Sequence, residues 1–198
     1  MRENEQKMKE TYIQDKTFDR IDFLQNPLSK GEYENCNFKN CNFAGTDLSG
    51  FKLMNCEFIG CNLSLTKLNN TAFQDSLFKE CKMLGLRFDT CVKFGLSFSF
   101  DNCQLNHSSF YKTKIKKTVF KNSQLQETDF VDSDLNSAVF ENCDLTLASF
   151  ENTNLEKADF RTSYNYSIDP EINSIKKAKF SLSGILGLLD KYDIEIEQ

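Results

Sequence analysis

The sequence predicts an all-β solenoid, a parallel β-helix of square cross-section built from one chain of 198 residues. Three observations predict this fold: a five-residue period of large apolar side chains, a matching period of small side chains, and a phenylalanine every 20 residues. The chain holds 19 phenylalanines and no tryptophan, so phenylalanine dominates its aromatic content. Neither an α-helix, with a period of 3.6, nor an ordinary strand, with a period of 2, produces a period of five.

The two five-residue registers run through most of the chain. Every fifth residue is large and apolar over 15 positions in residues 18–88 and over 13 positions in residues 100–160. Two residues earlier, ten of 11 positions in 31–81 and all 12 positions in 103–158 are small. Residues two apart on an extended chain point to the same side. Both registers are therefore predicted to fill the interior, while the other three positions face solvent or turn the chain.

The length of one coil follows from the spacing of the phenylalanines. They recur every 20 residues, apart from one step of 22, which predicts four pentapeptides per coil. About eight coils would give a rod roughly 38 Å long at about 4.8 Å per coil. One interior face should then stack Phe18, Phe38, Phe58, Phe78, Phe100, Phe120, Phe140, Phe160 and Phe180.

Several pentapeptides resemble the A-(D/N)-L-x-x signature of the pentapeptide-repeat family. Local copies include Thr46-Asp47-Leu48, Cys61-Asn62-Leu63, Ser133-Asp134-Leu135 and Ala158-Asp159-Phe160. The resemblance covers residues 18–180 and implies a right-handed quadrilateral β-helix. Residues 1–17 are predicted to be a polar N-terminal arm or cap, because terminal repeats of a solenoid must shield its open end.

The five-residue frame slips by two residues at 89–99. The simplest repair keeps Phe88, Phe94 and Phe100 inside through two six-residue steps, each with one extra residue as in a bulge. This interpretation predicts a kinked corner with a distorted core. The alternative is a protrusion that binds a partner.

Residues 181–198 are predicted to form a short α-helix and a closing strand that together make a symmetric dimer contact. The tail from Ile168 onwards resembles the gyrase-protecting branch of the family, the quinolone-resistance proteins and the microcin immunity protein. In that branch the C-terminal helix forms a head-to-head dimer that is similar to B-DNA in size and charge. The resemblance implies the same assembly here. The expected interface residues are Leu182, Ile185, Leu186, Leu188, Leu189, Ile194 and Ile196.

Residue chemistry argues against an enzyme, a metal site or a cofactor site. Seven of eight cysteines lie in the small interior register, Cys91 lies just before the slip, and no CxxC motif occurs. Buried free cysteine behaves as a small apolar residue, and so many unpaired thiols favour a reducing cytoplasm. The single histidine, His107, is expected at an exposed turn. No apolar run approaches the roughly 20 residues of a membrane span, and the charged N-terminus has no secretory hydrophobic region.

Charge is concentrated in residues 122–160, which hold nine acids and one base. Their net charge is −8, which leaves +3 for the rest of a chain whose total is −5. These residues make about two coils, roughly 10 Å, over which B-DNA carries about six negative charges. The lysines of 112–121 are interpreted as a solvated basic face, without direct nucleic-acid binding. The candidate partner-binding acids are Asp129, Asp132, Asp134, Asp144, Glu151 and Asp159.

Two functions remain open from the sequence. One is a DNA-mimicking homodimer that binds DNA gyrase or topoisomerase IV and protects it from quinolones or toxins. The other is a structural or protein-interaction solenoid with an unknown partner. A continuous acidic stripe would favour the first function, and patchwork charge would favour the second.

Overall fold

The computed structural model describes residues 11–195 of the chain. All strand pairs are parallel, and the strands form one sheet of four and one of seven. Three short 3₁₀ helices complete the described elements: Phe88–Thr90, Ser183–Leu188 and Asp190–Tyr192. The strands are β1 (Thr11–Gln14), β2 (Thr17–Asp19), β3 (Gly31–Glu34), β4 (Asn37–Lys39), β5 (Lys52–Met54), β6 (Glu57–Ile59), β7 (Ala72–Gln74), β8 (Ser76–Lys79), β9 (Phe98–Asp101), β10 (Val119–Lys121) and β11 (Val139–Glu141).

The strands and isolated bridges stack into four faces of a parallel β-helix, as the sequence predicts. We number the faces by the interior residues that stack along them, at the third position of each pentapeptide. Face 1 follows Phe18 to Phe180, face 2 Phe23 to Leu145, face 3 Leu28 to Phe150, and face 4 Ile13 to Ile175. Strands on face 1 cover seven coils, and bridges from Val139 through Asp159 to Lys179 continue the ladder.

The corners between faces depend on left-handed backbone geometry. The last residue of most pentapeptides has a positive φ, for example 55° at Asn102 and 52° at Asn142. Asparagine and glycine tolerate this region better than other residues. Among the described non-glycine residues with positive φ, only Leu65 and Leu147 are apolar, and both are exposed. Repeated corners of this kind convert extended pentapeptides into a square coil.

The aromatic stack on face 1 is confirmed for all nine predicted phenylalanines. Successive rings lie 4.7–5.5 Å apart between centroids, with interplanar angles of at most 17°. On the opposite face, Phe110 and Phe130 meet this stack edge to face, since Phe110 lies 5.7 Å from Phe120 at 85°. Offset-stacked and edge-to-face pairs are the favourable geometries for aromatic rings. The rod therefore contains one continuous, closely packed core.

The small register also supplies hydrogen-bond donors, which the sequence pattern does not reveal. Thr71 Oγ1 donates to the carbonyl of Leu48 in the preceding coil at 2.7 Å. Cys61 Sγ donates to Phe38 O at 3.3 Å in the same manner. Small side chains without a donor would fill the volume but would not link the coils. The same bond is made by Cys36, Cys41, Cys56, Thr66, Ser76, Cys81, Cys103, Ser108, Thr128, Cys143, Thr153 and Ser163.

The repair predicted for the frame slip is wrong, because Phe94 lies outside the core. Its side chain is 87% exposed, whereas Leu96 and Phe98 are buried in its place. Phe98 occupies a position that is normally small, and its ring lies 5.1 Å from those of Phe88 and Phe100. The two extra residues therefore form a bulge that carries Phe94 to the surface. The side chain of Phe98, at a position of the small register, fills interior volume in its place.

The bulge interrupts the bridge pairing of face 4. The four-stranded sheet on this face ends at β7, which accepts single bonds from the bulge, Val92 N–H to Thr71 O at 2.9 Å and Ser97 N–H to Phe73 O at 3.1 Å, and bridge pairing resumes at Lys114 with Asp134. Face 1 continues from β8 to β9, face 2 through the bridge of Lys82 with Gln104, and face 3 through the bridge of Arg87 with Ser109, although no bridge joins Lys67 to Arg87 in the described chain. A local insertion is thus absorbed on one side of the rod.

The C-terminal segment is 3₁₀-helical rather than the α-helix predicted from its apolar stripe. An α-helix would use the carbonyl of Gly187 for the amide four residues later, but here Ile168 N–H donates to it at 2.8 Å. Gly187 also approaches Tyr166 so closely that a Cβ would lie 2.0 Å from the Tyr166 carbonyl oxygen. Contacts with the last coil therefore determine the winding of this segment.

The two ends also differ from the predicted boundaries. β1 pairs with β3, so residues 11–17 of the predicted arm already belong to the first coil. Residues 193–195 form no strand, although alternation predicted one there. The remaining arm residues, and Ile196 of the predicted interface, lie outside the described residues.

Candidate partner-binding surfaces

All eight cysteines are free, and their side chains are buried in the core. Burial raises the pKa of Cys56 and of Cys143 to about 12, which keeps both thiols protonated at neutral pH. No group of three or more metal-ligating side chains among residues 11–195 is arranged to hold a metal ion. His107 lies at an exposed corner, where its Nδ1 is 3.2 Å from Glu127 Oε2.

The structure distributes the six candidate acids over all four faces. Asp129 bridges Ser109 and Ser149 on face 3, and the Asp132 amide donates to the Glu151 carbonyl at the next corner. These three acids form one group. The other three lie apart: Asp134 on face 4, Asp144 on face 2 and Asp159 on face 1.

Three of the six acids have basic partners nearby. Asp132 Oδ2 lies 3.8 Å from Lys112 Nζ, and Asp134 Oδ2 lies 3.1 Å from Lys116 Nζ. Asp159 pairs with Arg161 at 2.7 Å, and this contact holds the pKa of Asp159 below its usual value. The lysine-rich coil of 112–121 therefore neutralises part of the acidic coil below it.

Asp144 is held by neutral partners. Burial alone would raise its pKa, but hydrogen bonds from Thr146, Gln126 and Asn165 hold that pKa below the usual value. The Thr146 and Gln126 bonds measure 2.6 and 2.7 Å. Asp144 therefore stays ionised and is engaged within its own face.

An acidic region of face 3 is what remains available to a partner. Asp129 and Glu151 make no ion pair with any described residue, and both reach the surface. One coil further on, Asp169 and Glu171 continue this row of acids, but each lies 2.7 Å from Lys191 Nζ, which offsets part of their charge. The Lys191 contacts hold the pKa of both carboxyl groups below their usual values. Analysis of the sequence missed Asp169 and Glu171, although their 20-residue offsets from positions 149 and 151 were a usable signal.

The C-terminal segment presents apolar side chains on its outer side. Leu182 is 88% exposed, and Ile185, Leu186 and Ile194 are also exposed. Leu188 packs against the core and Leu189 is half-buried. One side of the segment is therefore docked on the last coil while the other side is uncovered.

Known proteins share this fold. The sequence profile of the pentapeptide repeat region matches residues 31–99 and 96–165. A trypsin-treated variant of QnrB1, a plasmid-mediated fluoroquinolone resistance protein, superposes with a TM-score of 0.74 at 16% identity, covering 95% of this chain and 92% of that one. Full-length QnrB1 gives a TM-score of 0.55 at 16% identity, covering 93% and 100%.

A third structure is HetL, a pentapeptide repeat protein involved in heterocyst differentiation regulation from the cyanobacterium Nostoc sp. strain PCC 7120. Its TM-score is 0.43 at 13% identity, with 87% of this chain and 88% of that chain covered. No curated protein sequence matches this chain. None of the helices between residues 11 and 195 has the length and apolar character needed to cross a bilayer. Since the family profile covers more than half of the sequence, the chain belongs to the pentapeptide-repeat family.

Proposed function

We propose that this protein is a non-enzymatic binding protein whose partner is a type II topoisomerase, DNA gyrase or topoisomerase IV. The acidic region of face 3 would enter the DNA-binding surface of the enzyme and protect it from quinolones or toxins. The observation that carries the proposal is the group of Asp129, Asp132 and Glu151, continued by Asp169 and Glu171 toward the C-terminal end. QnrB1, which shares the fold, is a fluoroquinolone resistance protein.

The uncovered C-terminal segment supports a dimer that would double this acidic region. Leu182, Ile185, Leu186 and Ile194 all face outward at the end of the rod. An isologous contact between two such ends closes on itself. The two acidic regions would then lie on either side of the junction, which is where a duplex-like charge distribution is needed.

The second candidate is a protein-interaction solenoid with a different partner. It is favoured by the ion pairs of Asp132, Asp134 and Asp159, which break the charge into patches. It is also favoured by the lysines that surround the acids on neighbouring faces. Under this candidate the rod binds a protein other than a topoisomerase and has no effect on DNA supercoiling.

Gyrase supercoiling with and without ciprofloxacin tests the proposal. The wild-type protein should restore supercoiling in the presence of the drug, and the effect should weaken at raised salt because salt screens the charges. The double variant Asp129→Asn/Glu151→Gln should lose most of this protection. The matched control Asp19→Asn/Glu57→Gln removes two exposed acids from face 1 and should retain it. Absence of protection at every concentration would favour the second candidate.

A further inference from the structure

On the part of face 4 that follows the bulge in the chain, lysine is the most frequent outward-facing residue. The rungs beginning at 114, 134, 154 and 174 stack directly, as the bridges of Lys114 with Asp134 and of Asn154 with Ser174 record. Six lysines and two acids lie on these rungs, a local net charge of +4 on a chain of net charge −5. We call this surface the lysine strip, which comprises Lys114, Lys116, Lys117, Lys157, Lys176 and Lys177.

Lysine is not what the corner of this face requires. Lys117, Lys157 and Lys177 have φ values of 60°, 60° and 59°, in the left-handed region. Upper coils fill the same corner with Asn35 and Asn55, the residue type that tolerates this backbone best. Three lysines here gain nothing for the local backbone, and residues that keep an unfavourable conformation often serve a function.

The charges of the strip are largely uncompensated. Within residues 11–195, Lys116 makes an ion pair with Asp134, but the other five lysines of the strip make none. All six side chains are exposed. Closely spaced like charges repel each other, and a bound anion would relieve this repulsion. The arrangement therefore favours a negatively charged partner.

The upper end of the strip opens into a notch made by the interrupted ladder. The notch has a volume of about 370 Å³, and Lys116 and Lys117 line it together with several hydroxyl groups. Its one acid, Asp75, already accepts a hydrogen bond from Ser97 Oγ at 3.0 Å. Ser76 and Ser97 already donate to Leu53 O and to Asp75, so the donors left for a carboxylate are the ammonium groups of Lys116 and Lys117 and the hydroxyl of Ser99. The hydroxyl residues are Ser76, Ser97, Ser99 and Thr118.

We propose that the lysine strip and its notch dock an extended, Asp/Glu-rich segment of a partner protein. Nucleic acid fits this surface less well, because no exposed aromatic side chain lies on these four rungs for bases to stack against. Asp134 and Glu156 also interrupt the strip and would repel a continuous phosphate backbone. Three rung spacings give a strip roughly 14 Å long, which spans about four extended residues. This surface is separate from the acidic region of face 3, and the proposal does not depend on a topoisomerase partner.

A fluorescein-labelled peptide of 12 glutamates, measured by anisotropy in 50 mM salt, tests the proposal. The variant Lys117→Asn/Lys157→Asn/Lys177→Asn removes three charges while installing the residue that the same corner uses elsewhere. Because three exposed ion pairs with the peptide are lost, affinity should fall about tenfold. The control Lys67→Asn/Lys79→Asn/Lys82→Asn removes three exposed lysines from other faces and should change affinity less than about twofold.

Circular dichroism and thermal melting establish that each variant is folded. If the corner variant does not fold, Lys114→Gln/Lys176→Gln removes charge from the flat part of the strip and should also weaken binding. Equal losses in strip and control variants would overturn the proposal, as would no binding by the wild type. A 12-base-pair DNA duplex that binds the strip more tightly than the peptide would overturn the choice of an acidic protein segment.

Discussion

Replacing Phe98 and Phe94 separately by alanine tests how the rod absorbs its two extra residues. Phe98 is 5% exposed and lies 5.1 Å from the rings of Phe88 and Phe100. Truncating a buried phenylalanine removes its transfer free energy and leaves a cavity, so Phe98→Ala should lower the free energy of unfolding by about 3–5 kcal/mol. Phe94 is 87% exposed, so Phe94→Ala should change it by less than about 0.5 kcal/mol.

Urea unfolding followed by far-UV circular dichroism measures both free energies, and thermal melting gives an independent estimate. A chain of this size loses about 2–4 °C of melting temperature per kcal/mol, so Phe98→Ala should melt roughly 6–20 °C lower. The reasoning is refuted if Phe94→Ala is the more destabilising change. It is equally refuted if Phe98→Ala stabilises the rod, since a small residue there would then restore the repeat.

Three further predictions concern the coil contacts. Thr71→Val should lower the free energy of unfolding, measured by urea denaturation, by about 1 kcal/mol. The hydrogen bond from Thr71 to Leu48 O is lost, but Leu48 O still accepts the hydrogen bond from the amide of Phe51. Thr71→Ser should keep the bond to Leu48 O and the stability. Gly187→Ala should release the C-terminal segment from Tyr166, seen as faster trypsin cleavage in that segment, and an unchanged cleavage rate would contradict the close approach. Since the pKa of Cys143 is raised to about 12, its thiol should resist Ellman's reagent at pH 9 in the native protein and react in guanidinium.

The interior of the rod is the part that the sequence predicts best. Phe120 and Phe140 stack where the 20-residue spacing places them, because that spacing sets four pentapeptides per coil. The role of Thr71 as a donor was hidden, since serine, threonine and cysteine satisfy a requirement for small size equally well. Phe94 was wrongly placed inside, because a count of residues does not say which residue of a slip leaves the core.

The candidate site was predictable in composition but not in arrangement. A net charge summed along residues 122–160 does not resolve which face each acid occupies, and one coil distributes its charges over four directions. Asp134 and Asp159 therefore count as free acids in the sequence, although lysine and arginine from adjacent positions lie against them. The lysine strip was hidden for the same reason, since its members come from three separate coils.

The interrupted ladder of face 4 also has a consequence for how the rod comes apart. In a solenoid each coil contacts only its neighbours, so stability is approximately a sum of coil energies and junction energies. On face 4 the bulge still bonds to β7, where Val92 N–H donates to Thr71 O and Ser97 N–H to Phe73 O, but no backbone hydrogen bond joins residues 91–97 to residues 113–117 in the described chain. We therefore expect amide hydrogen exchange to divide the rod between residues 91–97 and 113–117, with the coils up to β9 and the coils after residue 113 opening as two cooperative units.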